Sequence, residues 1–575
     1  MERGIGTSRG IGIGHVLVVY NASAVVNRGT HYNAEEEKKR FFEARKTFIE
    51  QTESLLSDLE KKLGESDKDA LVLKNQIYLA KDITTENEVV SAIDSNCICA
   101  EAAFEDVCNK LVQLFSSLDN PDMQQRVTDI QDMKERMIQI LQGTKAFDLT
   151  NLPDNTVIVA DEIKPSMTAS MDTAHVAGII AEKGGDTAHA SILARALEIP
   201  AVLSVKGILN KVNNGDSIII DGAYGEVFIN PTQRTLSIYE KKKKKYEEHI
   251  EELKTFINKS TETADGKKVM LAANIGGADE AAKAVKAGAE GVGLFRTEFL
   301  FLNKNALPTE EEQFEEYKKA AVLTKGMPLT IRTLDIGGDK DIPYMGLTKE
   351  ANPFLGYRAI RFCLDRVDIF TTQLRAILRA SAYGSIRIMI PMITSVNEIR
   401  QVKELIKKIC SNLDHNGISY DKNIQTGVMI ETPAAAVMAD VIAQEVDFFS
   451  IGTNDLTQYT IAVDRCNENV AYLYSAFNPA VLRLIRRIIE CAHNAGIEAG
   501  MCGEAAANAM MAPILLSFGL DEFSVSTGKV LETRKTIADW SLKEAGLVTD
   551  KVMSMATEKE VTDYLSDYLS ERNKK

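Results

Sequence analysis

Two short apolar runs, "GVMIETP" at residues 427–433 and "FFSIGTNDL" at residues 448–456, decide the fold. Each run is short and apolar, as a buried strand is, and each ends in acidic or amide side chains. The residues between the two runs have helical character. The pair therefore has the pattern of one strand, one helix and a second strand that is parallel to the first.

The same pattern repeats along residues 268–526. The further runs are "VMLAANIG" (269–276), "GVGLFRTE" (291–298), "LTIRTLDIGG" (329–338), "IRIMIPMI" (386–393), "EAGMCGE" (498–504) and "EFSVS" (522–526). Eight strands with helical segments between them predict a closed (β/α)₈ barrel. A doubly wound open sheet is the alternative, but no switch-point signature accompanies the strands.

Polar side chains mark the carboxyl ends of these runs, where a barrel places its active site. They are Asn274, Arg296, Arg332, Asp335, Glu431, Asn454, Asp455 and Cys502. One polar strand end can be a helix cap or a surface residue, but so many at equivalent positions indicate a site.

The residue types suggest a ligand. Arg296, Arg332 and Arg358, with Lys340, suit carboxylate and phosphate oxygens. Glu431 and Asp455 supply two carboxylates, the sparse set that Mg²⁺ prefers when substrate oxygens and water complete its octahedron. A phosphorylated carboxylic acid held with Mg²⁺ is the expected ligand.

The remaining chain divides by pattern. Residues 1–32 and 144–230 are glycine-punctuated and rich in β-branched runs, which predicts one α/β domain, and residues 33–143 predict an inserted all-α helical subdomain. Residues 231–260 predict a linker helix, and residues 261–575 the barrel. The insertion has 14 basic and 23 acidic residues between positions 31 and 143. This negative surplus indicates either a face that is merely solvated or a surface that binds a basic partner.

Composition narrows the function classes. A net charge of -15 argues against nucleic acid as a main partner, and no apolar run is long enough for a membrane span. The amino-terminal stretch lacks the layout of a secretory signal, so a cytoplasmic location is expected. The eight cysteines show no zinc spacing and are expected to be reduced, with Cys97 and Cys99 in the core of a helix.

The stretch "GGDTAHAS" at residues 184–191 raises a separate question. A glycine pair, Gly184 and Gly185, precedes an apolar helical pattern, so His189 is expected in the first helical turn. Backbone N–H groups there, with hydroxyls from Thr187 and Ser191, can hold a phosphoryl group, and neutral imidazole is a nucleophile near pH 7. A histidine in a glycine-rich turn can also be purely structural.

Together these motifs resemble the Enzyme I family of the bacterial phosphotransferase system, the phosphoenolpyruvate-protein phosphotransferases. The resemblance runs in family order through "GGDTAHAS", "GAEGVGLFRTEFLF", "RTLDIGGDK", "NPFLGYRAIR", "QLRAILRAS", "ETPAAA", "DFFSIGTNDLTQY" and "GMCGE". It implies that His189 takes phosphate from phosphoenolpyruvate and passes it to a histidine of a small phosphocarrier protein, the first step of sugar uptake.

The resemblance also implies roles for other residues. Arg296, Arg332, Asn454 and Arg465 would bind substrate, Glu431 and Asp455 would hold Mg²⁺, and Cys502 would protonate the enolate to give pyruvate. The helical subdomain would dock the carrier, and the barrel would form a homodimer.

Some positions depart from the family pattern, and Asp186 matters most. It stands where arginine is common, and a carboxylate would repel a phosphohistidine that arginine would attract. Ala188, Cys466 and Arg9 also differ from the usual serine, glycine and proline.

Two rival functions are weighed. Pyruvate phosphate dikinase and phosphoenolpyruvate synthase share these parts, but they need an ATP-binding domain, for which no segment is left over. A non-catalytic regulatory paralogue would lack the histidine or a metal carboxylate, and His189, Glu431 and Asp455 are all present.

Overall fold

The computed structural model describes residues 1–19, 26–29, 32–63, 68–116, 121–144, 149–164, 166–167, 171–185, 189–302, 304, 306–338, 342–346 and 350–572. The chain forms two compact units, Met1–Ile250 and Glu251–Lys575. None of the helices in these ranges is both long and apolar enough to cross a membrane.

A mixed sheet organises the first unit. Its strands are β1 (Glu2–Arg3), β2 (Ile5–Ser8), β3 (Ile11–Val19), β4 (Thr156–Ala160), β5 (Val176–Ala181), β6 (Ala201–Leu203), β7 (Ser217–Asp221) and β8 (Glu226–Ile229). Their order is β1-β8-β7-β3-β4-β5-β6-β2. Strand β4 is buried throughout, because Val157 and Val159 pack on one side of the sheet while Ile158 and Ala160 pack on the other.

The helices of the first unit fall into two groups. The long insertion between β3 and β4 contains α1 (Ala34–Leu63), α2 (Lys68–Lys81), α3 (Ile83–Asn96), α4 (Ala100–Ser116) and α5 (Pro121–Leu141). The helices α6 (His189–Ala196) and α7 (Gln233–Lys254) follow. Phe41, Phe48 and Phe104 fill the core of the insertion, since Phe41 and Phe48 are seven residues apart and so lie on the same face of α1.

The prediction for Cys97 was wrong. Cys97 ends α3 with a left-handed φ of 45° and is exposed, whereas Cys99 is buried immediately before α4. The spacing of apolar residues in this stretch does not reveal that one helix ends and another begins here. Alternating small and apolar residues fit a turn as well as a helix.

The second unit is a closed parallel barrel, which confirms the predicted fold. Its strands are β9 (Met270–Ile275), β10 (Gly291–Arg296), β11 (Leu329–Arg332), β12 (Ile386–Ile390), β13 (Gln425–Ile430), β14 (Phe448–Ile451), β15 (Glu498–Met501) and β16 (Glu522–Ser526). Each strand pairs with the next in sequence, and β16 closes the ring on β9.

Helices surround the barrel. They are α8 (Ala278–Lys286), α9 (Glu298–Leu302), α10 (Glu310–Leu323), α11 (Ile360–Asp365), α12 (Val367–Ala380), α13 (Val396–His415), α14 (Pro433–Val437), α15 (Ala439–Ile442), α16 (Thr453–Ile461), α17 (Pro479–Ala495), α18 (Ala512–Phe518), α19 (Val530–Asp539), α20 (Leu542–Met553) and α21 (Glu558–Arg572). Caps fix several starts: Ser395 and Glu398 form a reciprocal capping box at α13, and Thr432 accepts from the Ala435 N–H at α14. Helix α16 follows β14 directly. It therefore starts at the mouth of the barrel, where the strands end.

Candidate active site

A cavity of about 240 Å³ lies at the carboxyl ends of the barrel strands. Its charged and polar lining consists of Arg296, Glu298, Arg332, Asp335, Arg358, Glu431, Asn454, Asp455, Arg465, Cys502 and Glu504. Arg296 and Arg332 are the last residues of β10 and β11, Glu431 follows β13, and Cys502 follows β15. The strand ends that the sequence singled out therefore do meet in one place.

One of the predicted strand-end residues lies away from this cavity, and another predicted residue cannot be placed relative to it. Asn274 does not line it; its amide donates to the Cys502 carbonyl oxygen at 3.0 Å and so supports the segment that carries the thiol. Lys340 lies outside the described residues.

Ion pairs lock the buried arginines in place. The Asp335 carboxylate bridges two of them, with one oxygen 3.1 Å from Arg332 Nη1 and the other 3.1 Å from Arg358 Nη2. Glu298 Oε1 accepts from Arg332 Nη2 at 2.6 Å, and all four side chains are almost fully buried. Such pairs cost desolvation, so their value lies in fixed orientation more than in stability.

Some donors and acceptors of this network remain without a hydrogen bond. The Nε atoms of Arg332 and Arg358 and Oδ1 of Asp455 are buried and have no hydrogen-bond partner. Buried polar groups are normally satisfied in folded proteins, so these atoms are the ones that a bound ligand can satisfy. Two guanidinium N–H donors suit the oxygens of a small anion.

The formal charge of the lining residues bears on whether a cation could bind in the cavity. The described lining residues include four arginines against five carboxylates, a formal excess of one negative charge in a site that would hold an anion. Burial, followed by the negative charge of Asp455, raises the pKa of Glu431 to about 8. Within the described ranges, no three His, Cys, Asp or Glu side chains gather into a cluster that could hold an ion alone. Glu431 and Asp455 alone are therefore too few ligands for Mg²⁺. They fit the ion only where substrate oxygens supply further ligands.

The Cys502 thiol lies in apolar surroundings. It packs with Leu294, Met389, Met429 and Phe448 inside the barrel, and Ser450 Oγ donates to its sulfur at 3.4 Å. Burial raises the pKa of this thiol to about 11. Cys502 therefore keeps its proton at neutral pH, as a proton donor must.

The histidine segment of the first unit is described only in part. Helix α6 begins at His189, and the preceding Gly184 has a left-handed φ of 104° that favours glycine. Asp186, Thr187 and Ala188 lie outside the described residues, as does the side chain of His189. The Ser191 hydroxyl is buried and donates to the Gly185 carbonyl oxygen at 2.6 Å, and its expected contact with a phosphoryl group stays a prediction.

Sequence reasoning missed two charged lining residues and gave a third no role. Glu298 and Glu504 were not singled out, and Asp335 was noted as a strand end without a role. A signal existed for Glu298, which stands two residues after Arg296 at a strand end. No sequence signal shows that Asp335 bridges two arginines, because Arg358 comes from a later loop.

The closed barrel, with a cavity of charged side chains at the carboxyl ends of its strands, has the layout of a (β/α)₈ enzyme. Three family models match the chain: "PEP-utilising enzyme, N-terminal" at residues 3–126, "PEP-utilising enzyme, mobile domain" at 152–225, and "PEP-utilising enzyme, PEP-binding domain" at 250–542.

Relatives described as phosphoenolpyruvate-protein phosphotransferase match nearly the whole chain. The protein of Geobacillus stearothermophilus is 43% identical over 98% of this chain and 97% of its own length. That of Bacillus subtilis is 42% identical over 98% and 99%, and that of Buchnera aphidicola from Schizaphis graminum is 40% identical over 99% and 100%. The chain therefore belongs to the phosphoenolpyruvate-protein phosphotransferases, the Enzyme I family.

Proposed function

We propose that this chain transfers the phosphoryl group of phosphoenolpyruvate to its own His189 and then to a histidine of a phosphocarrier protein, with release of pyruvate. Membership of the Enzyme I family supports the overall reaction. The observation that carries the barrel's part is the Arg332–Asp335–Arg358 cluster, which holds two guanidinium groups at one cavity.

The arginines bind and orient the substrate. Arg296, Arg332, Arg358 and Arg465, with Asn454, would contact the phosphate and carboxylate oxygens, and Lys340 would add a further charge. Glu431 and Asp455 would hold Mg²⁺, which when bound neutralises charge on the transferring group. The cavity of about 240 Å³ suits a ligand of this size.

In this proposal the residues carry out one phosphoryl transfer and one proton transfer. The imidazole of His189 attacks phosphorus, the bond from phosphorus to the enol oxygen breaks, and the enolate leaves. The Cys502 thiol then gives its proton to the enolate carbon, which yields pyruvate and a thiolate. Arg332 and the Ser450 hydroxyl would stabilise that thiolate.

The two units would divide the work. In this proposal residues 1–32 and 144–230 form the phosphohistidine domain, with Gly184, Gly185 and Thr187 around the histidine, and residues 33–143 bind the carrier. Residues 231–260 form the linker helix, and residues 261–575 bind phosphoenolpyruvate and form a homodimer. Exposed Val437, Met438 and Val441 on the barrel's outer helices support such an interface. A cytoplasmic location fits the eight free cysteines, all of which lie in described segments.

Incubation with labelled phosphoenolpyruvate and Mg²⁺ tests the proposal. The label should appear as acid-labile phosphate on the peptide that contains His189, and it should move to a phosphocarrier protein. Label on another residue, or no label, would contradict the assignment.

A further inference from the structure

The hydroxyl of Tyr459 joins two segments at the edge of the cavity, its own helix α16 and the loop that contains Phe354 and Arg358. It accepts from Arg358 Nη1 at 3.0 Å and donates to the carbonyl oxygen of Phe354. Tyr459 itself is on α16, the helix that carries Asn454 and Asp455 in its first turn. One hydroxyl group therefore links a substrate arginine, the loop that delivers it and the helix of a metal carboxylate.

The loop needs such a link because its backbone is strained. Ala359, directly after Arg358, has a φ of 48°, a left-handed value that is unfavourable for a residue with a side chain. Gly337 approaches Arg358 so closely that a Cβ there would lie 2.7 Å from the arginine Cβ. Strained segments persist only where contacts determine them fully, and Arg358 is 3% exposed within those contacts.

The Arg358 guanidinium has competing acidic neighbours. Nη2 lies 3.1 Å from Asp335 Oδ1 and 3.5 Å from Asp455 Oδ2. Charge alone would let the group turn toward either carboxylate, and a turn toward Asp455 would occupy a metal ligand. The directional hydrogen bond from Nη1 to the uncharged Tyr459 hydroxyl holds one corner of the guanidinium plane, while Nε keeps no hydrogen-bond partner within the protein.

We propose that Tyr459 is a positioning residue of the substrate site, whose hydroxyl fixes the Arg358 guanidinium in the orientation that binds a phosphate oxygen. The inference rests on the proposed function, since it takes phosphoenolpyruvate as the ligand of Arg358. Tyr459 contacts no reacting atom; it acts through Arg358.

Tyr459→Phe on the full chain tests this role, because it removes the hydroxyl and keeps the ring. Binding of phosphoenolpyruvate with Mg²⁺, measured by calorimetry, should weaken about tenfold, the size expected for a hydrogen bond to a charged group. KM should rise in parallel while kcat changes less than about twofold, because Arg358 holds the phosphate equally in the ground and transition states. Tyr420→Phe is the matched control; it deletes a hydroxyl bound to Asp414 on the outside of the barrel and should change nothing.

A double-mutant cycle separates positioning from general destabilisation. In an Arg358→Lys background, Tyr459→Phe should weaken binding by less than about twofold, because the group it positions is gone. An equal tenfold loss in that background, or unchanged binding by Tyr459→Phe alone, would overturn the proposal. Failure of the wild-type chain to bind phosphoenolpyruvate would instead contradict the proposed function.

Discussion

The barrel cavity and the histidine segment differ in how their functional groups are held. In the cavity, side chains from four strand ends and two following segments pair with one another, as in the Arg332–Asp335–Arg358 cluster. At the histidine, a glycine pair precedes one short helix that begins at His189, and the Ser191 hydroxyl ties that helix to Gly185. Under the proposed function, substrate recognition would need side chains from many strands of the barrel, whereas the phosphoryl acceptor would need only a local turn.

The largest expected effect falls on the histidine side. His189→Ala should abolish label uptake from phosphoenolpyruvate, because no other group replaces the attacking nitrogen, while calorimetric binding of phosphoenolpyruvate should stay within about twofold. His175→Ala is a suitable control, since His175 in the same unit is paired with Asp172. Label retained on the His189→Ala variant would show that His189 is not the phosphoryl acceptor.

On the barrel side, Cys502→Ser should slow pyruvate formation by about 10² to 10⁴, the usual contribution of a general acid, and change KM little. The pH dependence follows from the raised pKa: an acid with a pKa of about 11 stays protonated from pH 6 to 9, so the donor step should lose activity only as pH rises toward 11. Alkylation at pH 8 should accordingly be slower at Cys502 than at the exposed Cys97 and Cys466. Equal losses in turnover and binding would indicate a packing role.

Removal of Asp455, a proposed Mg²⁺ ligand, should affect the chemistry of the barrel and not the histidine segment. Asp455→Ala should raise the Mg²⁺ concentration for half-maximal turnover by at least about 100-fold, since even outer partners of a metal site cost 10- to 100-fold. Asp563→Ala, an exposed change beside Lys559 on α21, is the control. Normal turnover of the Asp455 variant at low Mg²⁺ would place the metal ligands elsewhere.

A smaller effect concerns the acidic helical insertion. Its surplus of nine negative charges should steer a basic carrier, so the association rate should fall severalfold as the Debye length shrinks below about 10 Å. Stopped-flow association at rising salt concentration measures this rate. A salt-independent rate would mean that the acidic face is only solvated.

The smallest expected effect concerns Asp186. If its carboxylate faces His189, Asp186→Arg should favour the phosphorylated enzyme by about 1 kcal/mol, measured as the labelled fraction at equilibrium with phosphoenolpyruvate and pyruvate. The alternative is that Asp186 caps α6. In that case Asp186→Asn and Asp186→Arg would both lower the melting temperature and leave the equilibrium unchanged.

Sequence by itself determined the barrel and the list of strand-end residues. The spacing of apolar residues and the composition of each run can be read directly from the sequence. A parallel barrel then brings the carboxyl ends of all its strands to one face. The Cys97 error has the opposite origin: the break after α3 depends on one left-handed residue that apolar spacing does not reveal.

Only the tertiary structure decided how those residues are paired. Asp335 bridges arginines that are 26 positions apart in the chain, and Tyr459 reaches Arg358 from 101 positions away. Such contacts depend on distances between loops that no local pattern encodes, because each loop's path is set by the segments packed against it. The raised pKa of Cys502 is likewise a property of its buried surroundings, which the sequence, although it places the thiol at a strand end, does not reveal.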